Sequence, residues 1–487
     1  MSDDRVTNRA GVGVRRAAPS VQGAEFVASL ESTLDHLVHL PGTAAYRASL
    51  DGVFFPDASR RSPVAVVHPR TTADVAAVMR TAADVGGRVT VRGGGLSSLC
   101  VDDCAVMIDL SVHMGDALAQ GDRVRIRGGA TVGTALAAIS DAGRVIPVGI
   151  VGLAGLGLVT RGGVGYLTRE FGLTLDHLVE LELVLPGGET VTLSEASIGD
   201  EAELWWAVRG CAPAFGVVTS ATLRTHEQGP VFVDRLLTGT DALVTYFDVA
   251  PGLPRHITMG GVLGYRDGSD EPVLLIYTAC RSQDPGDVEI ARAATSKVAD
   301  ASATAPLFRS ETTGRYLDGL PEFAIPGPAG QEPAPIGLPE PCADRGWFYG
   351  KSVFTGPTLG GTVAEGLTEA IRSAPTALCR IDFQHTGGAL ADVADADTAF
   401  RGRAGEWNIP LNAIWSNAAD GDACHAWARQ TLDVLAADTI GVYSVEVRPG
   451  FEETEREIEA AFGANLPRLR TLRHRYDPAG VLTGYPL

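Results

Sequence analysis

Residues Val89-Thr90-Val91-Arg92-Gly93-Gly94-Gly95-Leu96-Ser97-Ser98 constrain the fold more than any other stretch of the chain. A short apolar strand runs directly into three glycines, a leucine and two hydroxyls. Residues without Cβ adopt positive φ freely and let other backbone approach closely, so consecutive N–H groups can converge on one anion. Such a strand-to-glycine junction predicts a phosphate-binding turn.

The flanking sequence predicts the layers around that turn. Val64–Val67 reads as a buried strand between Pro63 and Pro69, and Thr71 or Thr72 caps a helix over Asp74–Ala83 with Val75, Val78, Met79 and Ala82 on one face. Strands over Val89–Val91, Val106–Leu110 and Val124–Ile126 and a helix over Thr134–Asp141 continue an α/β pattern. Residues 147–172 carry eight glycines in 26 positions. At roughly 1 kcal/mol per glycine this disfavours a helix and suits a chain pressed along a flat ligand. A hairpin follows, Leu178–Leu185 and Thr190–Leu193 joined through Pro186-Gly187-Gly188, and Trp205 and Trp206 read as core.

Composition shifts near Gln228. From Pro230 to about Asp438, strands at Ile257–Leu263, Val273–Thr278 and Phe348–Phe354 and helices at Val288–Ala299, Thr362–Ser373 and Cys424–Ala437 predict a second, α+β unit. Pro321–Pro341 reads as a loop bordering the ligand site, and Arg468, Arg470, Arg473 and Arg475 mark a basic helix before Asp477-Pro478. With 487 residues the chain exceeds one ordinary core. The expected divisions are a disordered leader over 1–22, a first domain at 23–229, a second at 230–439, and a return to the first at 440–487.

A net charge of −19 argues against nucleic acid or an anionic membrane as partner. No run of 18 apolar residues predicts a membrane span. The seven cysteines are scattered, and Cys100 and Cys104 find no second pair to complete a zinc site. These features, with a polar N-terminus that lacks a signal-peptide core, lead us to expect a cytoplasmic protein without a metal centre.

Several motifs fall in a fixed order: Arg92-Gly93-Gly94-Gly95, Gly162-Gly163-Val164-Gly165-Tyr166-Leu167, Gly172-Leu173-Thr174-Leu175-Asp176, Leu204-Trp205-Trp206-Ala207-Val208-Arg209-Gly210, Lys351-Ser352, Gly387-Gly388-Ala389, Asp397-Thr398-Ala399-Phe400 and Leu472-Arg473-His474-Arg475-Tyr476-Asp477-Pro478. The series, from about Tyr46 to Leu487, resembles the berberine-bridge-enzyme-like branch of the vanillyl-alcohol-oxidase (PCMH-type) flavoproteins. The resemblance implies an α+β protein of two domains: a discontinuous PCMH-type FAD-binding fold with an inserted antiparallel-sheet substrate domain covering the flavin. It implies that Arg92, Gly93, Gly94, Gly95, Leu96 and Ser97 hold the pyrophosphate. Gly155, Gly157, Arg161, Gly162, Gly163, Gly165, Gly216, Val217 and Val218 would line the rest of the dinucleotide.

The chain departs from that family in five places. Leu96 replaces the histidine that bonds covalently to flavin, and the region around Gly149-Ile150-Val151 lacks the second tether, a cysteine. Arg161 stands where a glycine is usual, Cys211-Ala212-Pro213-Ala214 replaces a glycine-rich run, and Val445 replaces an asparagine. FAD is therefore expected to be noncovalent, or lost. Arg161 either pairs with a phosphate or substrate carboxylate or takes up flavin space.

Tyr443 matches the family's active-site tyrosine and is the expected base, provided a nearby cation or hydrogen bond lowers its pKa. Gln384 and His385 lie on a strand expected to face substrate, with alternation placing only one of them on that face. Arg403 and Glu406 read as a solvated charge pair. The expected activity is FAD-dependent oxidation of a small organic molecule of specialised metabolism. The alternative is a redox-neutral cyclase or isomerase on a repurposed scaffold.

Overall fold

The helix Thr72–Val85 opens on Thr71, whose hydroxyl accepts the Asp74 amide while the Asp74 carboxylate accepts the Thr71 amide. Gly86, left-handed at φ 66°, ends it, and Val75, Val78, Met79 and Ala82 face the core. This helix begins and ends two residues beyond its expected bounds. In the computed structural model, which describes residues 21–55, 58, 60–148, 152–266, 268–282, 284–316 and 346–487, the helix crosses over a mainly parallel sheet. Strands β1 (Val38–His39), β2 (Ala65–Val67), β3 (Val89–Arg92) and β4 (Val106–Asp109) lie in the order β1-β2-β4-β3, with β2, β4 and β3 parallel. Of the leader expected over residues 1–22, residues 1–20 lie outside the described residues, as do the stretch Gly149–Val151 and the loop Pro321–Pro341, whereas Val21 and Gln22 open the helix Val21–Leu34 instead of belonging to a leader.

The edge strand β3 is completed from the far end of the chain. The Val89 amide donates to the Val481 carbonyl at 2.8 Å, and the Thr483 amide donates back to Val89 at 3.1 Å. Asp477 holds this segment by accepting the amides of Val481 and Leu482 at 2.8 and 3.0 Å, and Arg473 donates to the Leu482 carbonyl at 2.7 Å.

A second sheet is antiparallel throughout. Strands β5 (Ala117–Gln120), β6 (Arg123–Arg127), β7 (Leu178–Val184), β8 (Thr190–Ser194) and β9 (Val217–Arg224) run in the order β5-β6-β9-β7-β8. The glycine-rich stretch between β6 and β7 contains two one-turn helices, Leu156–Val159 and Thr168–Phe171. Sequence had argued against helix here. The helices form because the glycines sit mostly at their ends, with Gly155 preceding the first and Gly172 closing the second.

The third sheet has eight antiparallel strands: β10 (Val231–Gly239), β11 (Ile257–Tyr265), β12 (Pro272–Cys280), β13 (Phe308–Gly314), β14 (Trp347–Thr355), β15 (Arg380–His385), β16 (Trp407–Trp415) and β17 (Thr439–Val442), ordered β13-β10-β12-β11-β15-β16-β14-β17. Alternation sorts their side chains. Leu236, Met259, Leu274, Phe383, Trp407 and Ile409 pack on a helical layer through Leu243, Phe247, Val298, Leu367 and Trp427. The opposite face sends Val231, Val233, Tyr277, Ala279 and Phe354 into one core with Val164, Tyr166 and Phe215. The mixed α+β architecture with an antiparallel-sheet layer thus agrees with the expected fold class. No described helix is long and apolar enough to cross a membrane.

Under the glycine turn, His68 is buried, with its Nε2 2.8 Å from Ser49 Oγ and its ring 4.2 Å from that of His39. Burial pushes His68 down to about 4 against the opposing pull of Asp109, helped by His39, His113 and Arg92. The unfolded chain therefore binds this proton more tightly, near the ordinary value of 6.5. Stability from His68 is complete above that value and is lost as pH falls toward 4. We expect the melting temperature to decline over this window, and His68→Gln to flatten the decline. An unchanged pH profile in the variant would show that other groups carry it.

Candidate functional site

The glycine turn brings three distant segments into backbone contact. A Cβ on Gly93 would stand 2.9 Å from the Gly128 carbonyl, one on Gly128 2.4 Å from the Val218 carbonyl, and one on Gly94 2.5 Å from the Leu153 carbonyl. Gly155 closes the cluster, 2.7 Å from the Gly94 amide by the same measure. Only glycine permits this approach. The amides of Gly93 through Ser98 donate to no acceptor among the described residues, although the Gly95 carbonyl accepts the Phe54 amide. Gly93, Gly94, Leu96 and Ser97 are half-buried. Arg92 turns its side chain away, donating to Asp109 at 2.8 Å and to the carbonyls of Ser49 and Gly52.

Gly216 and Val217 support the turn from behind. A Cβ on Gly216 would stand 2.5 Å from the Val184 carbonyl, and Val217 is buried with Val184 and Leu110. Gly157 is exposed, with nothing within 4 Å of an added Cβ.

A second cluster surrounds Tyr443. Its phenolic oxygen accepts the Gly163 amide at 2.9 Å and the Val164 amide at 3.4 Å. Its ring packs with Phe354 and Phe400. Gly162, at φ 139°, and Gly163, at φ 80°, have the backbone that brings these amides to Tyr443, while Gly165 donates to Thr168 Oγ1. Burial pushes Tyr443 up to about 12, outweighing the two amides and the nearby Arg161 cation. Arg161 is 8% exposed. Its Nε donates to the Gly157 carbonyl at 2.8 Å, and its guanidinium lies 5.4 Å from the Tyr485 ring centre. Tyr485 in turn shares side-chain hydrogen bonds with Cys211 and Ser444.

Gln384 and His385 point to opposite faces of β15, as alternation requires. Gln384 accepts from Asn408 Nδ2 at 2.6 Å, and Asn408 accepts from Ser352 Oγ at 2.7 Å. His385 stacks on Trp407 on the helical side. Its Nδ1 accepts the Met259 amide at 3.1 Å, and its Nε2 lies 2.9 Å from Glu406 Oε1 and 2.8 Å from Arg169 Nη1. Burial pushes His385 down to about 4. With both ring nitrogens engaged on the helical side, His385 is a structural neutral imidazole, and Gln384 is the member of the pair on the opposite face.

The Arg403–Glu406 pairing does not form. Arg403 makes a bidentate pair with Asp176 at 2.7 and 2.8 Å, and Glu406 pairs with Arg169. Both contacts join residues more than 200 positions apart, whereas the sequence reading paired neighbours.

The sheet face opposite the helices carries polar groups that sequence reading passed over. Asp382 Oδ2 accepts from Asn412 Nδ2 at 2.9 Å, its Oδ1 is buried 3.4 Å from Arg380 Nε, and burial raises its pKa. The signal was available: Asp382 lies two residues before Gln384 in a strand and shares its face. Two shallow surface depressions, neither with room for more than a water molecule, are found. The first lies beside Tyr166, Glu170, Arg255 and Tyr316, the second beside Lys351 and Glu457. Neither reaches the glycine turn.

Comparison with known proteins identifies this arrangement. Residues 63–194 match the model of an FAD binding domain. An FAD-linked oxidoreductase of Dictyostelium discoideum is 24% identical over 93% of this chain and 94% of its own length. A chitooligosaccharide oxidase of Gibberella zeae is 24% identical over 86% of both chains. Among solved structures, the BBE-like 1 protein of Physcomitrella patens superposes with a TM-score of 0.79 at 20% identity, covering 94% of this chain and 98% of that one. Residues 63–194 thus carry an FAD binding domain, and the chain as a whole shares the fold of the BBE-like 1 protein.

FAD is the cofactor of this fold, and the donor set of the flavoprotein fits its pyrophosphate end: successive unpaired amides from Gly93 to Ser98 offer hydrogen bonds and no competing carboxylate. Toward Tyr443, the segments meant to line the rest of the dinucleotide pack side chain against side chain, through Arg161, Cys211, Tyr443 and Tyr485.

Proposed function

We propose that this flavoprotein is an FAD-dependent oxidoreductase acting on a small organic molecule that bears an oxidisable alcohol or amine. Gly93–Ser98 would hold the pyrophosphate, with Gly155, Gly162, Gly163, Gly165, Gly216, Val217 and Val218 beside the rest of the dinucleotide. FAD, when bound, supplies the two-electron acceptor, taking hydride from the substrate carbon while a proton passes to a base.

The observation that carries this reading is the hydrogen bonding of Tyr443. Its oxygen accepts two amides, which leaves its own hydrogen for a ligand. With a pKa near 12 it remains a phenol at neutral pH, so it positions a substrate oxygen as a donor and does not take the proton. Asp382 suits that second task. It is the carboxylate on the substrate-side face of β15, with a raised pKa and one oxygen without a hydrogen bond. Gln384, Asn408 and Ser352 add polar contacts on the same face.

The redox-neutral alternative has less support, because the relatives are named as oxidoreductases and oxidases. Among the described residues six cysteines stand unpaired, which supports a cytoplasmic setting.

The test is anaerobic titration of the FAD-loaded protein with a panel of alcohols, amines and short oligosaccharides. Bleaching of the flavin absorbance by one class supports the reading. Conversion of a substrate by protein that lacks flavin overturns it. Tyr443→Phe is expected to reduce turnover by about a hundredfold with flavin content unchanged, and full turnover in that variant would remove Tyr443 from the mechanism.

A further inference from the structure

Arg161 is a buried cation without a counter-charge. Among the described residues no ion pair is formed by it; its Nε donates to the Gly157 carbonyl, and its Nη atoms are not among the fully buried polar atoms left without a partner, so they keep some contact with solvent. A buried guanidinium ordinarily needs an anion to offset its lost hydration. What holds Arg161 instead is one hydrogen bond and the face of Tyr485, each a modest interaction. The seat joins segments from four parts of the chain: residues 157–163, Cys211, Tyr443 and Tyr485. By the FAD reading these are the segments that flank the dinucleotide beyond the glycine turn, and neither shallow depression opens there.

We propose that Arg161 is a displaceable plug that competes with the ring half of FAD for this cleft, and so sets how tightly the cofactor is held. The proposal rests on the FAD reading above. Its weak seat lets the side chain leave when cofactor arrives, and without a tether at Leu96 the flavin is bound reversibly. Gly162 and Gly163 follow Arg161 in sequence with positive φ, and of the four side chains gathered here Arg161 is the one long, charged and flexible enough to swing aside.

The test compares wild type, Arg161→Gly and Arg161→Lys by titrating flavin-free protein with FAD, followed by quenching of flavin fluorescence, and with ADP, followed calorimetrically. ADP carries the pyrophosphate but not the ring. The plug predicts that Arg161→Gly binds FAD at least about tenfold more tightly than wild type, with ADP affinity unchanged and Arg161→Lys in between. Weaker FAD binding by Arg161→Gly overturns the proposal and makes Arg161 a cofactor ligand. Equal tightening for ADP overturns its specificity for the ring. Wild type that purifies with stoichiometric FAD resistant to dialysis also overturns it. If neither protein binds FAD or ADP, the cofactor assignment falls with the plug. If both bind FAD equally, the plug alone falls.

Discussion

Replacing Arg169 by alanine is expected to cost about 3–5 kcal/mol of stability, read as a lower denaturant midpoint. Arg169 is 4% exposed and donates to the carbonyls of Leu253, Ile257 and Thr386 as well as to Glu406. It thereby ties the one-turn helix Thr168–Phe171 to the eight-stranded sheet. Its loss strands three carbonyls and leaves the Glu406 carboxylate facing only a neutral imidazole. The double variant Arg169→Met with Glu406→Gln should recover part of the loss, because no unpaired charge then remains buried. A single-variant cost below about 1 kcal/mol, the range of an exposed pair, would show that solvent reaches this cluster.

Gly94→Ala is expected to abolish strong cofactor binding. The new methyl would stand 2.5 Å from the Leu153 carbonyl and 2.9 Å from the Gly155 amide. Both are backbone atoms and cannot rotate aside, so the turn and the 153–155 segment must separate. Overpacking of this kind costs about 1–3 kcal/mol, which corresponds to about a ten- to hundredfold loss in FAD affinity. Gly157→Ala is the matched control: its methyl meets nothing within 4 Å, and within a helical turn alanine is favoured by about 1 kcal/mol. FAD titration of both variants checks the pair. Equal affinities would mean that the turn does not contact the cofactor.

What sequence made legible follows the range of the interactions involved. The Thr71 cap, the strands around the glycine turn and the two faces of β15 depend on residues within a few positions of each other, so spacing alone exposed them. The resemblance supplied the order of the domains' motifs. The Arg169–Glu406–His385 cluster and the Arg403–Asp176 pair depend on chain crossings of more than 200 residues, which no local pattern encodes. Arg403 and Glu406 looked like partners because they are three apart, yet they lie beyond the end of β15 in an irregular segment without helical neighbours. Alternation showed that only one of Gln384 and His385 could face substrate, and the Met259 amide and Trp407 ring reveal that His385 is the one turned away. Tyr443 was found by motif, whereas the chemical sense of its hydrogen bonds required the positions of Gly163 and Val164.

The closure of β3 by Val481 and Thr483 has a consequence for biogenesis. The strand that launches the glycine turn emerges from the ribosome early, yet its edge remains unpaired until nearly four hundred further residues have been made and the tail has threaded back along it. During synthesis the nascent sheet therefore presents an open edge to its surroundings until that later segment arrives, so its consolidation waits on a part of the chain made long after the strand it seals.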